Sequence, residues 1–266
     1  MSGLADTVLS LLGAEIAHTR PLHGGDLSEV QLLDLKDGRR VVAKTGALAA
    51  EAAMLRAIRE AGAPAPEVLG VADGVLLIEA LEESAAGAAG WWALGQALRR
   101  LHAATGPHYG WAEDYAFGPV AIPNAPLENW PEFWTRRRLL ADPGALPRDL
   151  RLRVEALCRR LPELLPAAPP AALLHGDLWT GNVLFSGSGA YLIDPACYFG
   201  HGEVDLAMLH LFGAPPAEFH SAYGALEPGF ELRRQIYQLW PALVHLRLFG
   251  ASYRGMAESR LQAVGF

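Results

Sequence analysis

Residues 174–182 read LHGDLWTGN, and residues 193–208 read IDPACYFGHGEVDLAM. The apolar run before Asp177 predicts a buried segment that opens into a loop at this carboxylate. Asn182 stands just before the short strand predicted for VLF, and Asp194 ends the next predicted strand, AYLID. Pairing of these two strands would place Asn182 beside Asp194, with Asp177 at the mouth of the same loop.

The chemistry of these three side chains favours phosphoryl transfer. Amide and carboxylate oxygens are hard ligands for Mg²⁺, which takes one or two protein ligands together with phosphate oxygens. The remaining carboxylate could orient a hydroxyl group and accept its proton. Taken alone, a loop Asp or Asn is more often a turn former or a helix cap. Together, however, the three have the order of a protein-kinase type of site, in which a catalytic Asp precedes an Asn and a second Asp that bind metal.

The first eighty residues predict a five-stranded antiparallel sheet with one main helix. Strands are predicted for AEIAHTRPL, SEVQLLDL and RRVVAK, the last two joined by the hairpin turn KDG. The segment 48–61 is rich in helix formers and ends before Gly62 and Pro64. Two more strands follow in EVLGVADGVLLIEAL, joined at Asp73 and Gly74.

This half also has the order of residues expected of a nucleotide-binding lobe. Gly24 and Gly25 lie between the first two strands, Lys44 ends the third, and Glu51 lies near the start of the helix. Each feature alone has an ordinary explanation, as a hairpin, a solvated strand end or an exposed helix charge. In a kinase-like lobe a glycine turn covers the phosphates, and a helix glutamate holds a strand lysine that contacts them. Lys44 is one of only two lysines in the chain.

The composition changes after Leu81, which predicts a second lobe. The segment EESAAGAAG is small and polar, as a linker would be, and it precedes the amphipathic helices predicted for WWALGQALRRLHAAT and LRLRVEALCRRLPELL. From Val204 onward the pattern is helical except near Pro215 and Pro228. We therefore predict an α+β, two-lobed chain, with residues 1–81 as the smaller lobe and residues 82–266 as the larger, mostly helical one.

Composition limits the partners and the location. The net charge of −7 argues mildly against nucleic acid, which needs a basic face, although a few local cations can still bind a phosphorylated ligand. No apolar stretch is long enough to cross a bilayer, and the N-terminus lacks the basic segment of a signal peptide. Cys158 and Cys197 have no metal-type spacing, which favours reduced thiols in the cytoplasm. Nothing demands a partner chain, so we expect a monomer.

These motifs resemble those of the fructosamine kinase (ketosamine-3-kinase) family, within the protein-kinase-like and aminoglycoside-phosphotransferase-like superfamily. GQALRRLHAATGPHYGW, NWPEFWTRRRL and YQLWPALVHLRLFGASYRG fit as well, so the resemblance covers essentially the whole chain. HGDxxxxN with a later Asp is shared by the superfamily, whereas HGDLW-[ST]-GN and DPA-x-[YF]-[YF]-GH-x-E-x-DLAM are narrower. The resemblance implies a protein-kinase-like bilobal fold and an ATP- and Mg²⁺-dependent kinase. Its acceptor would be the 3-hydroxyl of a sugar attached to an amine, and the resulting phosphate would break down and free that amine.

The resemblance also implies roles for the nucleotide-side residues. Asp177 would be the catalytic base, and the Mg²⁺ ligands would be Asn182 and Asp194. The ATP-binding residues would be Lys44, with Glu51 as its ion-pair partner, then Gly24 and Gly25 over the phosphates, and Glu79, Ala80 and Leu81 as the hinge at the adenine edge. Asp205 would brace the catalytic loop through its backbone amides.

On the acceptor side the resemblance implies three residues. Trp179 would stack on the sugar or its amine-bearing group, although a core aromatic is an equal alternative. His201 and Glu203 would line the acceptor site, while Glu203 could instead cap the following helix.

Several positions depart from the family pattern in the half expected to recognise the acceptor. Gly202 stands where relatives often have Arg, and Val244 and Arg247 stand where an Asn-His-x-Asn pattern is usual. The phosphate-loop stretch HGGDLSE also lacks the cysteine that joins two chains in some members. These changes leave the phosphoryl-transfer residues unaltered but leave the acceptor open.

Two other kinds of function stay open at this point. The acceptor could be an aminoglycoside, choline or a homoserine-like alcohol; an anionic pocket would favour the first and an aromatic cage the second. The chain could also be a nucleotide-binding pseudokinase that serves as an interaction module. The intact set of Lys44, Asp177, Asn182 and Asp194 argues against that alternative.

Overall fold

The computed structural model describes residues 3–22, 29–46 and 48–266. Gly24 and Gly25, predicted to cover the phosphates, lie outside these ranges. The N-terminal half contains the following helices and strands: α1 (Leu4–Leu12), β1 (Ile16–Pro21), β2 (Glu29–Leu35), β3 (Arg40–Thr45), α2 (Ala49–Glu60), β4 (Val68–Ala72) and β5 (Val75–Glu79).

The five strands form one antiparallel sheet in the order β1-β2-β3-β5-β4, which confirms the predicted sheet. The turn between β4 and β5 lies at Asp73 and Gly74, where the sequence predicted that the two strands are joined, and both residues have the positive φ of a two-residue hairpin turn. Lys44 lies on β3, the central strand, between Val30 on β2 and Leu76 on β5, in the middle of the sheet.

The C-terminal half is mostly helical, as predicted. Its elements are α3 (Ala88–Ala103), β6 (Tyr115–Phe117), β7 (Val120–Ile122), α4 (Trp130–Trp134), α5 (Arg148–Leu164), β8 (Ala172–Leu174), β9 (Val183–Ser186), β10 (Gly189–Leu192), β11 (Tyr198–Gly200), α6 (Glu203–Leu209), α7 (Ala217–Tyr223), α8 (Phe230–Phe249) and α9 (Arg254–Ala263). No helix in the described ranges is long and apolar enough to cross a membrane.

Three short features of this half carry too little pattern for the sequence to predict. Strands β6 and β7 form a separate hairpin, and β8 pairs with β11. A π-helical segment, Thr135–Leu139, continues α4. Strands of three residues are too short to show a period of two, so only long-range contacts define them.

One hydrophobic core spans both lobes. Met54 and Leu55 of α2 are fully buried in a cluster that also contains Leu94 and Leu98 of α3 and Phe185 of β9. Burial of this shared apolar surface stabilises the two lobes against each other. Because this core is shared, it does not mark where one lobe ends, and the boundary between residues 81 and 82 stays a prediction.

Candidate active site

The candidate catalytic loop, residues 175–182, begins where β8 ends, and its shape depends on Gly176. This glycine has φ of +83°, and a Cβ there would lie 1.9 Å from the carbonyl oxygen of Ala196. The amide of Ala196 donates to the carbonyl of His175, with 2.8 Å between N and O. Only glycine allows both the left-handed backbone and this close approach of two chain segments.

Asp205 of α6 binds the backbone at the start of this loop. Its carboxylate is fully buried and accepts hydrogen bonds from the amides of His175 at 2.7 Å and Gly176 at 2.9 Å. His102 of α3 contacts the same carboxylate, with 3.1 Å between Nε2 and Oδ2. The bracing contacts implied for Asp205 are thus present. Charge-assisted bonds to two consecutive amides fix the backbone direction just before Asp177.

His175 links this loop to the strand that carries the second carboxylate. Its Nε2 donates to the carbonyl of Ile193 at 2.9 Å, and its Nδ1 accepts from the amide of Asp177 at 3.3 Å. Burial lowers the pKa of His175, so the ring is neutral and has one defined tautomer.

Asn182 and Asp177 lie in direct contact, as their spacing predicts. The side-chain amide of Asn182 donates to the backbone carbonyl of Asp177 at 2.8 Å and to its Oδ2 at 3.0 Å. Both donations come from Nδ2, so Oδ1 is directed away from Asp177 and can serve as a ligand. Ile193 donates its amide to the carbonyl of Asn182, which ties the two short strands together.

The environment of Asp177 suits a general base. The pKa of this carboxyl is raised to about 6: burial raises it most, the hydrogen bond from Asn182 partly offsets this, and the charges of Asp194 and Asp205 add to the rise. A base is most effective when its pKa lies near the working pH. Asp177 is therefore largely ionised at pH 7 and more basic than an ordinary aspartate.

Lys44 lies between two carboxylates. Its Nζ is 2.5 Å from Oε1 of Glu51 and also contacts Oδ1 of Asp194. Lys44 and Glu51 are both buried, whereas 35% of the Asp194 side chain is exposed. Burial lowers the pKa of Lys44, but the charges of Glu51 and Asp194 more than offset this, and the pKa is raised. Lys44 is therefore always protonated, and its ammonium group contacts the partly exposed carboxylate of Asp194.

Asp194 owes its position to an unusual backbone. It has φ of +53°, a left-handed conformation that Asp tolerates better than most residues, and Pro195 follows it. The bend at the end of β10 turns this carboxylate towards Lys44 of the other lobe. Such strain persists only where surrounding contacts enforce it and is common at functional sites.

The donor set fits Mg²⁺ bound together with phosphates. Within the described ranges, no group of three or more His, Cys, Asp or Glu residues could hold a metal ion. Asn182 and Asp194 offer an amide oxygen and a partly exposed carboxylate, which suits an ion that keeps water and phosphate oxygens as its other ligands.

The predicted hinge residues begin with Glu79, the last residue of β5. Glu79 pairs with Glu67 beside β4: its amide donates to the Glu67 carbonyl at 2.9 Å, and its carboxylate accepts from the Glu67 amide at 3.2 Å. Ala80 and Leu81 then carry the chain towards α3, half-buried. Adenine recognition by these three residues stays a prediction.

Of the three predicted acceptor residues, only Trp179 is open to solvent. Its side chain is 38% exposed, so the alternative of a core aromatic is wrong. His201 is largely buried, and its Nδ1 lies 2.7 Å from the hydroxyl of Tyr237, while burial lowers its pKa to about 3. Glu203 is buried and makes a bidentate ion pair with Arg233, with both N–O distances 2.6 Å.

These contacts give His201 and Glu203 partners within the fold. Glu203 is the first residue of α6, and its two carboxylate oxygens are directed to Arg233. An acceptor role for His201 and Glu203 stays a prediction.

Sequence reasoning missed Tyr115 and His102. The pKa of Tyr115 is raised to about 12, mainly by burial and in addition by the charges of Glu51, Asp194 and Asp177, so its hydroxyl feels the acidic centre. His102 contacts Asp205 from α3, and Tyr223 holds its other ring nitrogen at 2.9 Å. Neither residue lies in a motif with the catalytic loop, so the sequence offered no spacing by which to find them.

The fold and the site define a kinase-like phosphotransferase. The family model for fructosamine kinase matches residues 5–264, and the chain belongs to this family. A probable ketoamine kinase from Thermus thermophilus is 37% identical over 247 residues, which cover 88% of this chain and 89% of that protein. A probable ketoamine kinase from Synechocystis is 36% identical over 200 residues, 70% of this chain and 66% of that protein.

Solved structures of similar fold are consistent with this family membership. A protein assigned as a fructosamine-3-kinase from Thermobifida fusca superposes with a TM-score of 0.88 at 32% identity, covering 98% of both chains. A mutant aminoglycoside phosphotransferase, in ternary complex with AMP-PNP and hygromycin B, has a TM-score of 0.67 at 16% identity over 99% of both chains. This second likeness shows the shared fold alone.

Proposed function

We propose that the chain uses ATP to phosphorylate the 3-hydroxyl of the sugar in a ketosamine, such as a fructosamine or ribulosamine. The observation that carries this proposal is the contact between Asp177 and Asn182 beside the Lys44–Asp194 ion pair. It unites a general base, two oxygen ligands and a phosphate-binding cation in one place. The ketosamine acceptor is supported by family membership and by the names of the relatives.

The nucleotide would be held from both lobes. Lys44, kept in place by Glu51, would contact the α- and β-phosphates. Oδ1 of Asn182 and the carboxylate of Asp194 would hold Mg²⁺. When bound, this ion would neutralise part of the phosphate charge. Asp194 would then exchange part of its contact with Lys44 for this ligand role. Glu79, Ala80 and Leu81 would meet the adenine edge through backbone groups.

Asp177 carries the proton in the proposed reaction. Its carboxylate accepts the proton of the 3-hydroxyl as the sugar oxygen forms a bond to the γ-phosphorus. The bond from that phosphorus to the bridging oxygen of ADP breaks, and ADP leaves with the electron pair. Asn182 orients the carboxylate, and Asp205 fixes the loop that presents it.

The wider role follows from the product. A ketosamine 3-phosphate loses its phosphate and frees the amine, so the enzyme would reverse early glycation of free or protein-bound amines. A cytoplasmic location is part of this proposal, and the two cysteines fit it because both are buried and free. We expect a monomer.

The test is an acceptor screen. ADP release is measured with Mg-ATP and ribulosamine, fructosamine or kanamycin, and the phosphorylated position is read by ³¹P NMR. The proposal requires turnover of a ketosamine at its 3-hydroxyl, abolished in Asp177→Ala. Leu152→Ala, at an exposed position of α5, is the control for a substitution at the surface.

Two results would replace the proposal. Turnover confined to kanamycin would assign an aminoglycoside acceptor instead. Tight Mg-ATP binding without phosphorylation of any alcohol would identify a nucleotide-binding module.

A further inference from the structure

A continuous strip of aromatic rings leads away from the catalytic loop. We call it the aromatic strip, and its members are Trp179, Phe212, His245, Phe249 and Tyr253. Ring centroids are 5.9 Å apart between Trp179 and Phe212, 6.0 Å between Phe212 and His245, and 5.6 Å between His245 and Phe249. Tyr253 lies 5.1 Å from His245 and closes the far end.

The strip is open to solvent. Phe212 is 54% and Phe249 50% exposed, and with Trp179 they make up three of the eight large apolar side chains exposed in the described part of the chain. Single exposed apolar residues are ordinary, whereas a contiguous apolar patch marks a binding surface. The other five, four leucines and one tryptophan, lie outside the strip: Leu9, Leu22, Trp92, Leu152 and Leu232.

The near end of the strip is anchored to the catalytic residues. The amide of Trp179 donates to the carbonyl of Asp177 at 3.2 Å, and the Trp179 carbonyl accepts from the amide of Asn182 at 2.9 Å. The indole packs over Gly181, where a Cβ would lie 2.2 Å from the ring. The ring nearest the base is therefore held in position by the same loop that holds the base.

At the far end of the strip, a hydrogen bond to the backbone of α8 fixes His245. His245 donates from Nδ1 to the carbonyl of Pro241 at 2.7 Å, which fixes its ring on α8. Arg247, two residues further along α8, donates from its guanidinium to the carboxylate of Asp142 at 2.8 Å. The charge of Arg247 is thus paired with Asp142, and the rings of His245, Phe249 and Tyr253 contact one another.

The geometry points to the aromatic strip as the binding surface for the amine-bearing part of the ketosamine, and to a substrate class in which that amine carries an aromatic or bulky apolar group. This inference rests on the proposed function. With the sugar at Asp177, the group attached to its amine would extend over Trp179 towards Phe212 and Phe249. Edge-to-face contact with several rings favours an aromatic group over a small one.

The experiment compares two ribulosamines with Mg-ATP, one made from methylamine and one from 2-phenylethylamine. Both carry the same sugar and the same protonated secondary amine, so the phenylethyl extension is the main difference. We expect kcat/KM to be about tenfold higher for the phenylethyl compound. Phe249→Ala and Phe212→Ala should each reduce this ratio to about threefold or less, with Leu232→Ala, on the same helix as Phe249, as the control.

Thermal unfolding checks that each variant is folded, which we expect at exposed positions. A ratio near one in the parent enzyme, or a ratio that Phe249→Ala and Phe212→Ala leave unchanged, would overturn the inference while the proposed function stands. Absence of turnover with either ribulosamine and with fructosamine would overturn the proposed function, and this inference with it.

Discussion

The carboxylate of Asp205 and the backbone amide of Gly176 are joined by a buried hydrogen bond of 2.9 Å between Oδ1 and N. The second oxygen of this carboxylate accepts from the amide of His175. Through these contacts a residue of α6, which would not itself touch a substrate, sets the path of the catalytic loop.

Replacement of Asp205 by Asn should weaken both the fold and the reaction. Asn offers one acceptor oxygen where the carboxylate offers two, and its NH₂ group would face an amide donor. We expect the free energy of unfolding to fall by about 2 kcal/mol in urea titrations, together with a lower kcat. Asp142→Asn, at an exposed ion pair with Arg247, should change stability by less than about 1 kcal/mol. Equal effects of the two changes would contradict the bracing role.

Gly176→Ala should be far more damaging than Gly187→Ala. Both glycines have positive φ, so both changes incur the left-handed backbone cost of about 1–2 kcal/mol. Only at Gly176 does a Cβ meet another chain segment, whereas nothing lies within 4 Å of a Cβ at Gly187. Chemical denaturation should therefore show an additional loss of about 2 kcal/mol or more for Gly176→Ala. Similar stabilities of the two variants would argue against the close approach to Ala196.

The two lysines provide a matched pair for the nucleotide site. Lys44→Met removes a buried cation and leaves Glu51 without that partner, whereas Lys36→Met removes an exposed cation paired with Glu15. We expect Lys44→Met to weaken binding of Mg-AMP-PNP by about tenfold or more in calorimetry. Lys36→Met should bind like the parent protein. Unchanged affinity in Lys44→Met would exclude the lysine from phosphate binding.

Asp177 and Asp194 should fail in different ways. Asp177→Asn removes the base but keeps the proposed metal ligands, so turnover should fall by about 10²–10⁴-fold while Mg-AMP-PNP still binds. Asp194→Ala should weaken nucleotide binding in magnesium and abolish the difference between magnesium and EDTA. Calorimetry with and without EDTA separates the two outcomes. Near-parent turnover in both variants would show that the roles are wrongly assigned.

The raised pKa of Asp177 can be observed without turnover. In the nucleotide-free protein its carboxyl should titrate near pH 6, seen as a protonated C=O band in infrared spectra that Asp177→Asn lacks. Because this pKa lies above that of the unfolded chain, the stability contributed by the protonated form is present at low pH and is lost as the pH rises towards 6. A titration near pH 4 would contradict the burial of this carboxyl.

The sequence predicted those parts of the site that depend on local spacing. Asp177 and Asn182 belong to one short loop, and Lys44 and Glu51 lie on a strand and the helix that follows it. In each pair the intervening chain is short, so the element types nearly determine the contact that is observed. The strand pattern predicted the five-stranded sheet for the same reason.

Contacts between distant segments could not be predicted in this way. The ion pair of Lys44 with Asp194, the approach of Tyr115 to the acidic centre and the burial of Glu203 against Arg233 all join parts of the chain far apart in sequence. Spacing carries no information on such pairs, and three-residue strands such as β8 and β11 lack a pattern of their own.

The amino-acid sequence by itself determined the two-lobed architecture and indicated the candidate catalytic and metal-binding groups, because periodicity, turn residues and motif order act over short distances. Tertiary structure alone decided the surroundings of those groups. It raises the pKa of Asp177, places Asp194 in contact with Lys44 and leaves Trp179 exposed at one end of the aromatic strip. Burial and electrostatic coupling depend on which distant side chains surround a group, and only packing of the complete chain brings those side chains together.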